Sequence, residues 1–158
     1  MNALTNLLGK LCETLLPIHE NIYFGNPKSS LTICTLSSMD LMKQISESDL
    51  MKKINVVGRL LSENKGIDSL IRHIISNKNI TTLLICGKEV RGHNAGQSLV
   101  AFHKNGVDEN NRIISATSPD PLLTITKAEV EKFRSQVKIV EKIGEINFTT
   151  IKQIINSL

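Results

Sequence analysis

Aromatic side chains are scarce in this 158-residue chain: they make up 3% of it, with no tryptophan and a single tyrosine, Tyr23. That scarcity argues against the stacking platforms on which single-stranded nucleic acids are bound. Dense runs of one charge are missing too. The formal charge is +4, from 19 basic and 15 acidic residues, and the lysines and arginines are spread along the chain. The expectation is an ordinary soluble surface, with some bias toward anions and no nucleic-acid partner. No stretch approaches the ~20 apolar residues that span a bilayer. No basic segment leads into an uninterrupted apolar core, as a secretion signal requires. The cysteines, Cys12, Cys34 and Cys86, form no C-x-x-C pair, and each sits in an apolar segment. They read as buried free thiols of a reducing, cytoplasmic compartment.

What the chain has is enough length and enough apolar residues, 41%, for one domain with a real core. Leu4, Leu7, Leu8, Leu11 and Leu15 fall at helical spacing before Pro17. The pattern predicts an amphipathic helix over residues 1–19 that lies as a flap on an α/β domain spanning 20–158. Short strands are expected at Ile22–Phe24, Leu31–Leu36, Thr82–Cys86 and Arg112–Ala116. Ile54–Val57 reads as a strand or a helix start, Ser37–Asp49 as helix or loop, and Val137–Val140 as a further strand. Ile67, Leu70, Ile71, Ile74 and Ile75 form a helical stripe that ends near Asn77. Another helix is expected from about Asn94 to Lys104, stopped by Gly106. Thr126-x-x-Glu129 is a capping box for a helix with Val130, Phe133 and Val137 on its apolar face. Ile151, Ile154, Ile155 and Leu158 give a last helix. Helices alternating with short apolar strands predict a single Rossmann-like α/β domain with a mostly parallel sheet.

The stretch of greatest chemical interest is LLICGKEVRGHNAGQSLVAFHKNG, residues 83–106. A strand runs into a loop with glycines at 87, 92 and 96, and His93 stands where loop becomes helix. In open α/β sheets ligands bind at the carboxyl ends of strands, so His93 is the candidate functional side chain. The loop is neither G-x-x-x-x-G-K-[ST] nor G-x-G-x-x-G, although glycines let a large ligand approach the backbone. Of the other histidines, His73 falls on the polar side of its helix and reads as solvated. His103 lies near a helix end, where capping and dipole roles suffice. No second His or Cys stands at zinc-ligand spacing. Ser98 and Ser118 are candidate partners of a Ser–His–Asp triad, but there is no G-x-S-x-G elbow. The residues leave open a structural histidine, a general base on a nucleotide-like ligand, and a metal ligand. An imidazole without protein co-ligands fits best where a tetrapyrrole-type macrocycle supplies the others.

The segments ICGKEVRGHNAGQS, AFHKNGVD and RIISAT, with SENKGIDSLIRHIISNKNI upstream, resemble the A-subunit family of tetrahydromethanopterin S-methyltransferase from methanogens. YFGNPKSSLTICTLSS resembles it more loosely. The resemblance covers roughly residues 20–140. It implies a domain that binds a cobamide, a cobalamin-type cofactor, with His93 as the axial cobalt ligand. The cobalt would accept a methyl group from methyl-tetrahydromethanopterin and pass it to coenzyme M. Other methyltransferase subunits would supply both substrate sites and the only link to a membrane. In the full complex this transfer is coupled to sodium export. Gly87, Glu89, Gly92, Gln97 and Thr117 are the expected cofactor contacts besides His93. The imidazole is expected to bind the methylated cobalt and to leave the cob(I) form, reporting methylation state through differential binding. Ligation requires a neutral ring, so it should be stronger at pH 8 than at pH 5.

The sequence departs from the family in two places. The membrane helix that ends the anchored members is not found before Leu158. A G-A-T-G-A-I-P-like segment reads Ser115-Ala116-Thr117-Ser118-Pro119-Asp120-Pro121 here. In another cobalamin family the motif is D-x-H-x-x-G. Here His93 and Gly96 fit it, but Arg91 stands in place of the Asp, with Glu89 the nearest carboxylate in sequence. The alternatives are a stand-alone cobamide-binding module and the general-base enzyme.

Overall fold

A computed structural model describes residues 22–158. The expected helix over residues 1–19, with Cys12 and His19, lies outside the described residues. The strands are β1 (Ile22–Phe24), β2 (Leu31–Cys34), β3 (Ile54–Gly58), β4 (Thr82–Gly87) and β5 (Lys138–Ile143). The helices are α1 (Met39–Ser46), α2 (Lys65–Ser76), α3 (Ala95–Asn105), α4 (Lys127–Gln136) and α5 (Phe148–Ser157), with a 3₁₀ turn at Asp49–Lys52. One sheet runs β1-β3-β2-β4-β5. β1 is antiparallel to β3, and the other pairs are parallel. This is the α/β arrangement that the alternating elements predict.

The central strands are buried almost end to end because both sheet faces are covered. Alternation along β4 sends Leu83 and Ile85 to one face and Leu84 and Cys86 to the other. The first face meets Ile67, Ile71 and Ile74 of α2, Leu99 and Phe102 of α3, and Val130 and Phe133 of α4. The second meets Leu41, Met42 and Ile45 of α1 and Ile151 and Ile155 of α5. Burial pushes the Cys86 thiol far above its ordinary range, which makes it an inert core side chain.

Local signals place most boundaries. Within Ser37–Asp49, ambiguous in sequence, Met39–Ser46 forms a helix because Leu41, Met42 and Ile45 reach the core together. The Thr126–Glu129 capping box forms reciprocally and starts α4. Thr126→Ala should lower stability by about 1 kcal/mol in chemical denaturation. Gly106 closes α3 with a positive φ of 73°. His103 Nε2 donates to the Val137 carbonyl at 2.6 Å, tying α3 to the start of β5.

Three expectations are corrected. Arg112–Ala116 is not a strand. Asp108 gathers the amides of Asn110 and Arg112 into a turn, leaving only isolated bridges, Val107 to Ile113 and Arg112 to Leu122. Ser115 then turns to a φ of 67°, which no strand allows. β2 ends at Cys34, two residues before the expected Leu36, because Leu36 takes a φ of 51°. His73 is not solvated: its ring lies 6.0 Å from that of Phe24, and its Nε2 is buried.

Candidate functional site

The chain leaves β2 for β3 on one side, then returns past β2 to β4 on the other. The point where strand order reverses lies between the carboxyl ends of β2 and β4, where α/β sheets open a crevice. Here the two loops are stitched together. The Ser37 hydroxyl donates to the Lys88 carbonyl at 2.8 Å, and the Lys88 amide donates to the Ser38 hydroxyl at 2.8 Å. Gly87, with φ 81°, lies so close to β2 that a Cβ would run into the Thr35 carbonyl oxygen. The Gly87 expected against a cofactor is therefore used for loop-to-loop packing.

Gly92 is the opposite case. Its φ is 82°, yet a Cβ there would meet nothing within 4 Å. Backbone beside His93 thus faces open space that a large planar ligand can approach. Gly87→Ala should cost about 3 kcal/mol or more, from steric overlap added to left-handed strain. Gly92→Ala should cost only about 1 kcal/mol, from strain alone. Melting of the two variants measures the contrast, and equal losses would contradict it.

His93 lies in the turn before α3, not in its first turn. Its amide and that of Asn94 both donate to the Val90 carbonyl at 3.0 Å. Asn94, at φ 46°, then redirects the chain into the helix at Ala95. The imidazole is 52% exposed, and its Nδ1 lies 2.8 Å from Oε2 of Glu63, a side chain only 2% exposed. Glu63 comes from the segment just before α2 and was assigned no role from sequence. Its Oε1 accepts the Asp120 amide at 3.1 Å. Burial raises the Glu63 carboxyl, but hydrogen bonds from its own amide, from His93 and from the Asp120 amide outweigh it and hold it below the usual carboxylate range. An ionised Glu63 only accepts. In the neutral ring the proton therefore sits on Nδ1, and the Nε2 lone pair, which has no partner among the described residues, is left available.

The other candidate residues cluster here in supporting positions. Glu89 does not reach His93. Its two oxygens accept the amides of Gly96 and Gln97 at 2.9 and 2.8 Å, capping α3 from the loop. The helix N-terminus that would attract a ligand phosphate is thus already satisfied by a carboxylate. Gln97 donates to the Ser115 carbonyl at 2.9 Å and accepts from the Thr117 amide at 2.9 Å and hydroxyl at 3.1 Å. Asn94 reaches the Thr117 hydroxyl at 3.3 Å. Ser98 and Ser118 share a buried 2.8 Å hydrogen bond, which pins the same segment to α3. Residues 115–121 are therefore docked beside His93 through Gln97, Ser98 and Glu63.

Among the described residues no cluster of three or more His, Cys, Asp or Glu is arranged to hold a metal ion. Nor is any helix among them long and apolar enough to cross a membrane. The sequence pattern of the tetrahydromethanopterin S-methyltransferase A-subunit family matches residues 13–158. A protein of Methanosarcina barkeri named as the A-subunit of the methyltransferase Mtx is 36% identical over 147 residues, covering 92% of this chain and 71% of its own. Form 1 of the tetrahydromethanopterin S-methyltransferase A-subunit of Methanothermobacter thermautotrophicus is 38% identical over 130 residues, 81% of this chain and 52% of its own. The corresponding protein of Methanohalophilus mahii is 30% identical over 136 residues, 85% of this chain and 54% of its own. The chain thus spans about half the length of the last two.

Proposed function

The chain belongs to the A-subunit family of tetrahydromethanopterin S-methyltransferase, and from that membership and the His93 geometry we propose that it carries a cobamide during methyl transfer. Bound cobamide would supply cobalt, a centre able to accept a methyl group from methyl-tetrahydromethanopterin and release it to coenzyme M. His93 Nε2 would hold that cobalt. Glu63 holds the imidazole by Nδ1 and fixes its tautomer and orientation, as carboxylates behind metal-bound histidines do. Gly92 leaves room for the macrocycle beside the ligand histidine. Gln97 and Thr117 keep the 115–121 segment in place as one wall of the site, and Glu89 holds the turn that presents His93. The substrates themselves bind to other methyltransferase subunits, so the chain acts as the carrier component.

The observation that carries this reading is the His93–Glu63 pair, its Nε2 free, at the switch point beside an unobstructed Gly92. A His–carboxylate pair also suits general-base chemistry on a nucleotide-like ligand. Glu89 argues against that alternative, because it already satisfies the α3 amides that would receive a phosphate. Aquacobalamin mixed with the purified chain should show the visible shift of imidazole ligation. An unchanged spectrum with no co-elution would remove the cofactor assignment. Methyl transfer on adding partner subunits separates a carrier from a binding module that only stores the cofactor.

A further inference from the structure

Among the described residues, three buried side-chain atoms have no hydrogen-bond partner: Thr32 Oγ1, Arg59 Nε and His73 Nε2. All three residues line one cavity of about 100 Å³ between α2 and strands β2 and β3. His93 is not among its lining residues. Native proteins leave few buried polar atoms unpaired, so the convergence of all three on one cavity calls for an occupant. Thr32 is only 5% exposed, which leaves its hydroxyl no recourse to bulk water.

The lining groups define the occupant. Arg59 has no ion pair among the described residues, and no acidic side chain of theirs lines the cavity. A guanidinium with a desolvated edge and no counter-charge favours an anion. The unpaired atom is Nε, which with one terminal nitrogen forms the planar fork that matches a carboxylate. Thr32 and His73 add two further polar groups. Val56, Leu70 and Ile74 make the rest of the wall mostly aliphatic, with Ser69 and Cys34 beside them. Phosphate or sulfate would bury oxygens against those side chains without partners. A short alkyl tail would pack on them.

We propose that this cavity binds a short aliphatic monocarboxylate, its carboxylate on the Nε edge of Arg59 and the Thr32 hydroxyl and its alkyl chain on the aliphatic wall. This site is independent of the corrinoid reading. The test uses the full chain labelled with ¹⁵N and butyrate as the probe, with 1-butanol and sulfate as controls. Butyrate should shift the Arg59 Nε–H resonance saturably, and the controls should not. Arg59→Gln should bind butyrate about a hundredfold more weakly, and Thr32→Val about tenfold. Thr32→Val keeps the side-chain shape and removes an unpartnered hydroxyl, so it should melt no lower than the parent without ligand. It therefore keeps the test open even if Arg59→Gln folds poorly. Absence of a saturable shift, butanol or sulfate binding as tightly as butyrate, or undiminished affinity in Thr32→Val would each overturn the proposal.

Discussion

Aquacobalamin bound by His93→Ala is expected to keep the absorption of the free cofactor, while the parent shows that of an imidazole-ligated cobalt. Affinity should fall by at least about tenfold, the scale on which a lost metal ligand or its supporting partner is felt. The reason is geometric. His93 Nδ1 is committed to Glu63 at 2.8 Å, so the single lone pair directed elsewhere is that of Nε2. Deleting the imidazole leaves the buried Oε2 of Glu63 without this partner, so the variant should lose about 1–3 kcal/mol of stability, and a melting curve recorded beside the spectrum shows that the effect is read on a folded protein. Identical spectra and affinities for the two proteins would mean that His93 is only a structural residue of the turn.

The second large effect is expected at Glu63. Glu63→Gln preserves shape but loses the charge that orients the imidazole. It should weaken cobalamin binding by about ten- to hundredfold and lower neutral-pH stability by about 1–3 kcal/mol, because the buried partners of the carboxylate are left poorly matched. The pH dependence has a definite sign. The folded-state carboxyl of Glu63 is held below its ordinary value of 4.5, so its stabilisation is present above that value and is lost as pH falls through the lowered one. The parent should therefore lose stability steeply on the acid side of pH 4.5, and Glu63→Gln should lose less over the same interval. Parallel stability–pH curves would show that the carboxylate contributes nothing through its charge.

The contrast between His93 and Glu63 shows what the sequence reveals and what it hides. His93 stands out as a candidate because glycine and asparagine flank it and a strand and a helix bracket it, all within one short stretch. Its partner lies thirty residues upstream, in front of another helix, where a glutamate looks like an ordinary solvated charge. Only the return of the chain past β2 brings the two together. Glu89 was the carboxylate nearest in sequence, but its backbone position directs it onto the α3 amides. The glycines divide for a similar reason. Gly87 and Gly92 look alike as loop residues, yet one abuts a neighbouring strand and the other faces open space. The regular elements were easier, since α2 carries its helical period in full and β4 is an unbroken apolar run. Arg112–Ala116 misled because Ile113 and Ile114 suggest a strand, while the amides before them are taken up by the Asp108 side chain. Thr117 and Gln97, expected as cofactor contacts, hydrogen-bond each other.

The central claim is that a nitrogen of this chain, rather than the cofactor's own base, is bound to cobalt. The direct measurement is electron paramagnetic resonance of the one-electron-reduced, cob(II) form of bound cobalamin, with the chain labelled with ¹⁵N at histidine and the cofactor unlabelled. Ligation by His93 predicts that the axial-nitrogen splitting changes from the triplet pattern of ¹⁴N to the doublet pattern of ¹⁵N on labelling, and that this doublet is lost in His93→Ala. A triplet that persists in the labelled protein would place the cofactor's own base on the metal and contradict the account.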